Sequence, residues 1–451
     1  MNGMKNWFVG VLAVAGAGFC AGDAGARPPN IVVILADDLG YGDVNCFYPK
    51  TKIRTPHLDK MADQGMRFTQ FYATAAVCSP TRAALLTGRY GARTGMFGVR
   101  CAVLGVDSRG GMPLGETTLP EALKARGYAT ACIGKWHLGH HKDYWPTRHG
   151  FDEFFGILFA NNQYTTTSTG KRFLHLYSGK QIVEWNVYQP TLTRRITDRA
   201  IGFIKRNRQR PFFLYLPYTA AHTPLFASQA FAGRSPAGTY GDVVEEMDYN
   251  IGRVLKTLRD LNLDDNTLVV FTSDNGPATA HGEDGGSSGP FRGGKGDAWE
   301  GSVRAPTIAW WPGRIRKGTV SRQVGNSMDL FSTSLALAGV AEPSGRVIDG
   351  RDLRPVLFGN GTQSLPVQTF FYGYRGGRPV AARKGPWKLH VERRIGGQMT
   401  TLAYPLLYNL NLDRAETTNV AAAHPDIVAE MKAEIAAFKQ ATRGVRPEFD
   451  R

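Results

Sequence analysis

The stretch V-C-S-P-T-R-A-A-L-L-T-G-R-Y, Val77–Tyr90, sets a potential nucleophile four residues before a fixed cation. It reads as a helix that opens abruptly. Ser79 suits an N-cap, and Pro80 is tolerated in a first turn. Ala83, Ala84, Leu85 and Leu86 are good helix formers, and Gly88 fits the C′ position. That places Cys78 just ahead of the helix N-terminus, where free N–H groups and the dipole favour negative charge. Helical side chains lean back toward the N-terminus, so Arg82 can reach Cys78. A sulfur beside a helix start and a forked cation is an anion-handling nucleophile. A buried, inert cysteine next to a surface arginine is the competing reading.

Other chemistry-bearing residues follow apolar runs. Asp37-Asp38 comes directly after Asn30–Ala36, and Asp274-Asn275 after Thr267–Thr272. Three carboxylates and an amide oxygen are hard ligands that suit Ca²⁺ or Mg²⁺ rather than Zn²⁺. Either pair alone also fits a cap or turn. Lys135 and His137 lie in G-K-W-H-L-G after the run Tyr128–Ile133. Two apart on an extended segment, they would point the same way, toward a shared target. His222 follows Phe212–Leu216, and Lys295 sits among the glycines of Gly282–Gly301. Such a loop serves as a connector or lets backbone approach an anion. In open α/β sheets a site forms beyond the carboxyl ends of the strands, which makes these distant residues candidates for one cleft.

Cys78-Ser79-Pro80-Thr81-Arg82 with Leu86-Thr87-Gly88-Arg89 resembles the signature of the type I, formylglycine-dependent sulfatases. G-K-W-H-L-G, A-A-H-T-P around His222, R-G-G-K-G around Lys295, Arg148–Glu153, Asn266–Pro277 and Leu406–Val420 also fit that family, so the likeness spans most of the chain. The glycine-rich loop and the segment after His137 look most like the N-acetylgalactosamine-6-sulfatase and arylsulfatase A-like members. The resemblance implies an alkaline-phosphatase-like fold and a Cys78 oxidised to Cα-formylglycine by a maturation enzyme. It also implies a single Ca²⁺, with Mg²⁺ the second choice, on Asp37, Asp38, Asp274, Asn275 and the modified Cys78. The implied mechanism has a hydroxyl of the aldehyde hydrate attack sulfur, with Asp274 as base. Arg82, Lys135 and Lys295 clamp the sulfate, and His222, helped by Lys295, protonates the leaving alcohol. His137 takes the second hydroxyl's proton as sulfate departs. The implied activity is sulfate monoester hydrolysis on a sulfated carbohydrate. Ala160, Leu158-Phe159 and Arg414 depart from the family pattern, the first two at substrate-contacting positions. The alternatives are a phosphodiesterase or phosphonate monoester hydrolase of the same superfamily, and an inactive glycan-binding relative. A two-metal phosphatase needs a second His/Asp cluster, which the sequence lacks. An inactive relative would have lost Cys78 or the acidic set.

The elements that must position these residues alternate buried strands with amphipathic helices, as in a doubly wound, mostly parallel α/β sheet. Helices are expected at 55–65, 118–126, 193–207, 240–260 and 328–339, with a further strand at Val303–Trp311. From about Leu365 short strand-like pieces and one helix, Pro425–Thr442, read as a small antiparallel sheet. The expected organisation is a leader 1–26, a catalytic unit 27–364 and a C-terminal unit 365–451. The leader has Lys5, an apolar Trp7–Phe19 and Ala24-Gly25-Ala26 as a cleavage site, which predicts export to a periplasm or the exterior. Thirteen apolar residues are short for a membrane span. The chain of 451 residues carries a net charge of +16, and losing the leader does not change it. That excess suits an anionic substrate. The basic residues are scattered, with no basic helix or aromatic-interleaved patch, which argues against nucleic acid. Five cysteines, one of them in the leader, exclude a disulfide-stapled scaffold.

Overall fold

The computed structural model describes residues 27–451 except 167–169, 171, 361–362, 374 and 396–397, so the leader lies outside the described residues. Strand β1, Asn30–Ala36, is buried along its whole length. Its alternation explains the unbroken apolar run: Val32 and Ile34 enter one core cluster, while Ile31, Val33 and Leu35 enter another on the opposite face. Nine more strands join it: β2 (Met66–Phe68), β3 (Ala129–Lys135), β4 (Glu153–Ile157), β5 (Leu176–Ser178), β6 (Gln181–Glu184), β7 (Phe212–Pro217), β8 (Thr267–Ser273), β9 (Thr307–Trp310) and β10 (Thr319–Ser321). Their order is β10-β2-β9-β8-β1-β7-β3-β4-β5-β6. The central five, β8-β1-β7-β3-β4, are all parallel. Antiparallel pairs extend both edges.

Helices α1 (Pro56–Asp63), α4 (Leu192–Arg206) and α5 (Gly238–Asp260) cover the Val32 face. Helices α2 (Cys78–Thr87), α3 (Leu119–Lys124) and α7 (Asp329–Ala338) cover the other. The doubly wound architecture is therefore as expected. One expected strand is shorter than its apolar pattern: within 303–311 the continuous strand is Thr307–Trp310, and before it only Arg304 makes an isolated bridge, to Tyr72. Pro306 has no N–H for a ladder, and Glu300–Val303 instead forms a short helix, α6.

Register aligns the strand ends that matter. Ala36 pairs with Ser273 and Leu35 with Pro217, so β1, β7 and β8 release their chains at one edge. Gly134 precedes Lys135 at the end of β3 with φ 136°, and a Cβ there would lie 1.8 Å from the Pro217 carbonyl oxygen. Only glycine allows that approach, which brings Lys135 to the same edge.

The C-terminal sheet runs antiparallel through β11 (Phe370–Gly373), β12 (Pro379–Lys384), β13 (Trp387–Ile395) and β14 (Gln398–Asn409). Helix α8, Pro425–Ala441, packs Met431 and Ile435 on Ala382, Leu389 and Leu407. Phe370, Tyr372 and Ala381 share a cluster with Tyr72, Ala84, Tyr90 and Val303, so a common apolar core joins this sheet to the large unit.

Candidate active site

Helix α2 begins at Cys78 itself, with Val77 as N-cap and Gly88 (φ 70°) closing it in the left-handed region. This corrects the expected N-cap, Ser79, by two residues toward the N-terminus. The Ser79 hydroxyl is not a cap, because it accepts from the Leu104 N–H at 3.3 Å. Thr81 Oγ1 instead accepts from the Ala75 N–H at 3.0 Å and fixes the entering chain. Cys78 is 1% exposed, and burial pushes its thiol up to about 12 despite Lys135 and Lys295.

The two acidic strand ends meet. Asp274 N–H donates to the Ala36 carbonyl at 3.1 Å, and the Asp38 N–H donates to Asp274 Oδ1 at 3.2 Å. Asn275 Nδ2 donates to Asp38 Oδ1 at 2.7 Å. Arg82, fully buried, donates to Asp274 Oδ2 from Nε (3.0 Å) and Nη2 (2.7 Å) and to the Lys135 carbonyl (3.0 Å). Its guanidinium thus braces Asp274 and stands 3.6 Å from Asp37. Lys135 Nζ lies 2.5 Å from Asp37 Oδ2, and Lys295 Nζ 2.7 Å from the Asp38 carboxylate.

Burial opposes ionisation of Asp37, but Lys135, His222, Arg82 and Lys295 outweigh it and hold the carboxyl well below its ordinary range. Burial and the neighbouring Asp37 push Asp274 up to about 6, with Arg82 opposing. Three carboxylates against Arg82, Lys135 and Lys295 leave the cluster formally neutral. Removing one member of such a buried pair costs about 3–5 kcal/mol, so substitutions at Arg82 or Asp274 would mix folding with chemistry.

The histidines sit differently from each other. His222 is held because the Asp37 N–H donates to the Ala220 carbonyl (2.8 Å) and the Ala221 N–H to the Asp37 carbonyl (2.6 Å). Its Nδ1 is 2.6 Å from the Thr223 carbonyl, which can only accept. Nε2 is therefore the exchangeable position, 3.7 Å from Asp38. Lys135 and His137 do not share one extended segment: β3 ends at Lys135, and His137 takes φ 57°. Its N–H is drawn to the Leu158 carbonyl at 3.1 Å, which turns the chain. His137 Nε2 donates to the Leu104 carbonyl at 2.8 Å, leaving Nδ1 bare, buried and without a partner. Burial, then Lys135, keeps this imidazole well below its ordinary value, neutral and able to accept a proton.

A divalent cation fits this donor set. Asp37 Oδ1 and Asn275 Oδ1 are buried with no hydrogen-bond partner. Ligand atoms of Asp37, Asp38, Cys78 and His222 lie within 4.8 Å of one another. Asp274, expected as a ligand, has Oδ2 on Arg82 and Oδ1 accepting from the Asp38 amide, while His222 lies close to the Asp37, Asp38 and Cys78 group. The structure thus gathers all the sequence-derived residues around Asp37 and Asp38. Composition and spacing missed two supports. The Leu104 carbonyl that orients His137 is backbone, which carries no sequence signal. Asn161 donates to the His222 carbonyl at 3.2 Å from a loop beside Ala160.

The chain matches the family model described as Sulfatase over residues 29–340. The N-acetylgalactosamine-6-sulfatase of Canis lupus familiaris is 44% identical, covering 84% of this chain and 74% of that one. Human arylsulfatase A is 39% identical, covering 91% and 88%. The PsFucS1 sulfatase structure from Pseudoalteromonas sp. superposes with a TM-score of 0.85 at 29% identity, covering 94% and 92%.

Proposed function

Because the chain belongs to the sulfatase family, we propose that it hydrolyses sulfate monoesters of a carbohydrate through a Cα-formylglycine made from Cys78. The observation that carries this reading is Cys78 at the mouth of α2, within the Asp37–Asp38–His222 group, as a thiol pushed up to about 12. Burial holds the Cys78 thiol above its ordinary range, so an unmodified Cys78 stays protonated and is a poor nucleophile. The hydrated aldehyde supplies one hydroxyl for attack and a second for release. Asp37, Asp38, Asp274, Asn275 and residue 78 would hold a divalent cation, Ca²⁺ before Mg²⁺, which when bound offsets charge on sulfate oxygens.

The chain's own residues do the rest. Lys135 and Lys295 hold the sulfate oxygens as they gain charge. Arg82 fixes the Asp274 carboxylate that accepts the nucleophile's proton. His222 Nε2 delivers a proton to the leaving oxygen, and His137 Nδ1 accepts one as sulfate is released. These groups belong to the unit 27–364, and 365–451 supports it. An N-terminal leader and export fit this substrate class, and no helix among the described residues is long and apolar enough to cross a membrane. The named relatives are sulfatases, which favours sulfate esters over the phosphodiesters or phosphonate monoesters that others of this superfamily cleave.

The test is hydrolysis by matured protein of N-acetylgalactosamine 6-sulfate, an aryl sulfate, a phosphodiester and a phosphonate monoester, before and after chelation. The expected result is sulfate release that chelation suppresses and added Ca²⁺ restores. Turnover of the phosphorus esters alone would contradict it.

A further inference from the structure

We infer that Glu416, in the C-terminal unit, is a positioning residue for Lys295: its carboxylate and its main-chain carbonyl together lock the glycine-rich loop that carries this ammonium. The inference rests on the sulfate-ester reading of the site and extends it to a residue far from the chemistry.

Lys295 lies in P-F-R-G-G-K-G-D-A-W-E-G, where Gly293, Gly294 and Gly296 flank the lysine and give its backbone no neighbouring side chain to hold a shape. Glycines lose more backbone entropy on ordering than other residues, so this loop needs anchors. Its front is pinned where Lys295 N–H meets the Pro277 carbonyl (2.8 Å) and Gly296 N–H the Ala76 carbonyl (2.9 Å). Those contacts tie it to the segments after Asn275 and before Cys78. Its rear is held by the C-terminal sheet through Glu416. Glu416 Oε2 accepts from the Glu300 N–H at 2.7 Å. Oε1 accepts from His390 Nε2 at 2.8 Å and pairs with Lys388 Nζ at 3.0 Å. Lys388 bridges to Glu300 Oε1 at 3.1 Å, and Tyr372 also donates to that oxygen at 2.8 Å. The Glu416 carbonyl accepts from Arg292 Nη1 at 3.0 Å. The Arg292 guanidinium lies 3.9 Å from the centre of Trp299, whose ring is 4.5 Å from that of His390. Glu416 therefore touches both ends of the loop segment Arg292–Glu300, which closes on itself where the Gly301 N–H meets the Arg292 carbonyl at 2.8 Å.

Two features argue against simple packing filler. Glu416, Glu300 and Lys388 are wholly buried, and an ion network in that setting is seldom a net source of stability compared with apolar side chains. Glu416 also holds φ 56°, a region where Gly or Asn would be less strained. The side chain, not the backbone, sets the choice of residue.

The experiment compares kcat/KM of matured protein carrying Glu416→Gln or Arg292→Ala, each with Lys295 present and in a Lys295→Ala background, together with thermal melts. Coupling through Lys295 predicts a loss of about tenfold or more with Lys295 present and under about threefold without it. Equal losses in both backgrounds, or none in either, would overturn the inference. Arg292 is solvent-exposed, so Arg292→Ala decides the matter if Glu416→Gln fails to fold. Wild-type protein inert toward every sulfate ester would instead sink the reading of the site.

Discussion

Cys78→Ala is expected to keep less than about one part in 10⁴ of the wild-type kcat/KM on a sulfate monoester, because alanine cannot be converted to the aldehyde whose hydrate supplies the nucleophile. The loss is chemical rather than structural. Cys78 is small, 1% exposed and the first residue of α2, with Val77 as N-cap, so alanine preserves the helix and most of the packing. Trimming the small side chain at position 78 should cost about 1 kcal/mol, which shifts the melting midpoint by only a few degrees in a protein of this size. Activity assays and thermal melts on the same preparation separate the two effects. Residual activity within tenfold of wild type would mean that another group attacks sulfur.

His137→Ala has the next largest effect, and its character matters more than its size. The Leu104 carbonyl fixes the proton on Nε2 and leaves Nδ1 bare in a buried place where Lys135, Arg82 and Asp37 act on it. In the proposed mechanism a base so placed serves the release of sulfate, because His222 and Asp274 are assigned to the attack. Steady-state kcat should fall by about 10²–10⁴. The first turnover should survive, giving a burst of alcohol close to one equivalent of enzyme in rapid-mixing experiments. A slow first turnover without a burst would move His137 into the attacking half of the reaction.

Much of this arrangement was legible in the sequence because of where it sits. A central parallel strand is covered on both faces, so Asn30–Ala36 must be apolar throughout, and its polar successors Asp37 and Asp38 stand out. The same contrast marks Lys135 after β3 and Asp274-Asn275 after β8. What escaped local reading depends on partners distant in the chain. Ser79 does not cap α2 because a loop amide from Leu104 claims its hydroxyl, and this shifts Cys78 into the helix. The turn at His137 comes from hydrogen bonding to the neighbouring chain at Leu158, which no extended-segment argument could foresee. Glu300 and Glu416 are 116 positions apart, and in each local pattern they look like ordinary surface acids. Only the fold makes them neighbours.

The conversion of Cys78 is the step on which the chemistry turns, and the mass of the tryptic peptide containing residue 78, from protein purified out of its native host, tests it most directly. The prediction is a peptide that has lost a sulfur and two hydrogens, gained one oxygen, and reacts with a carbonyl-directed hydrazine, in amounts that track specific activity across preparations. An intact thiol at position 78 in fully active protein would contradict it.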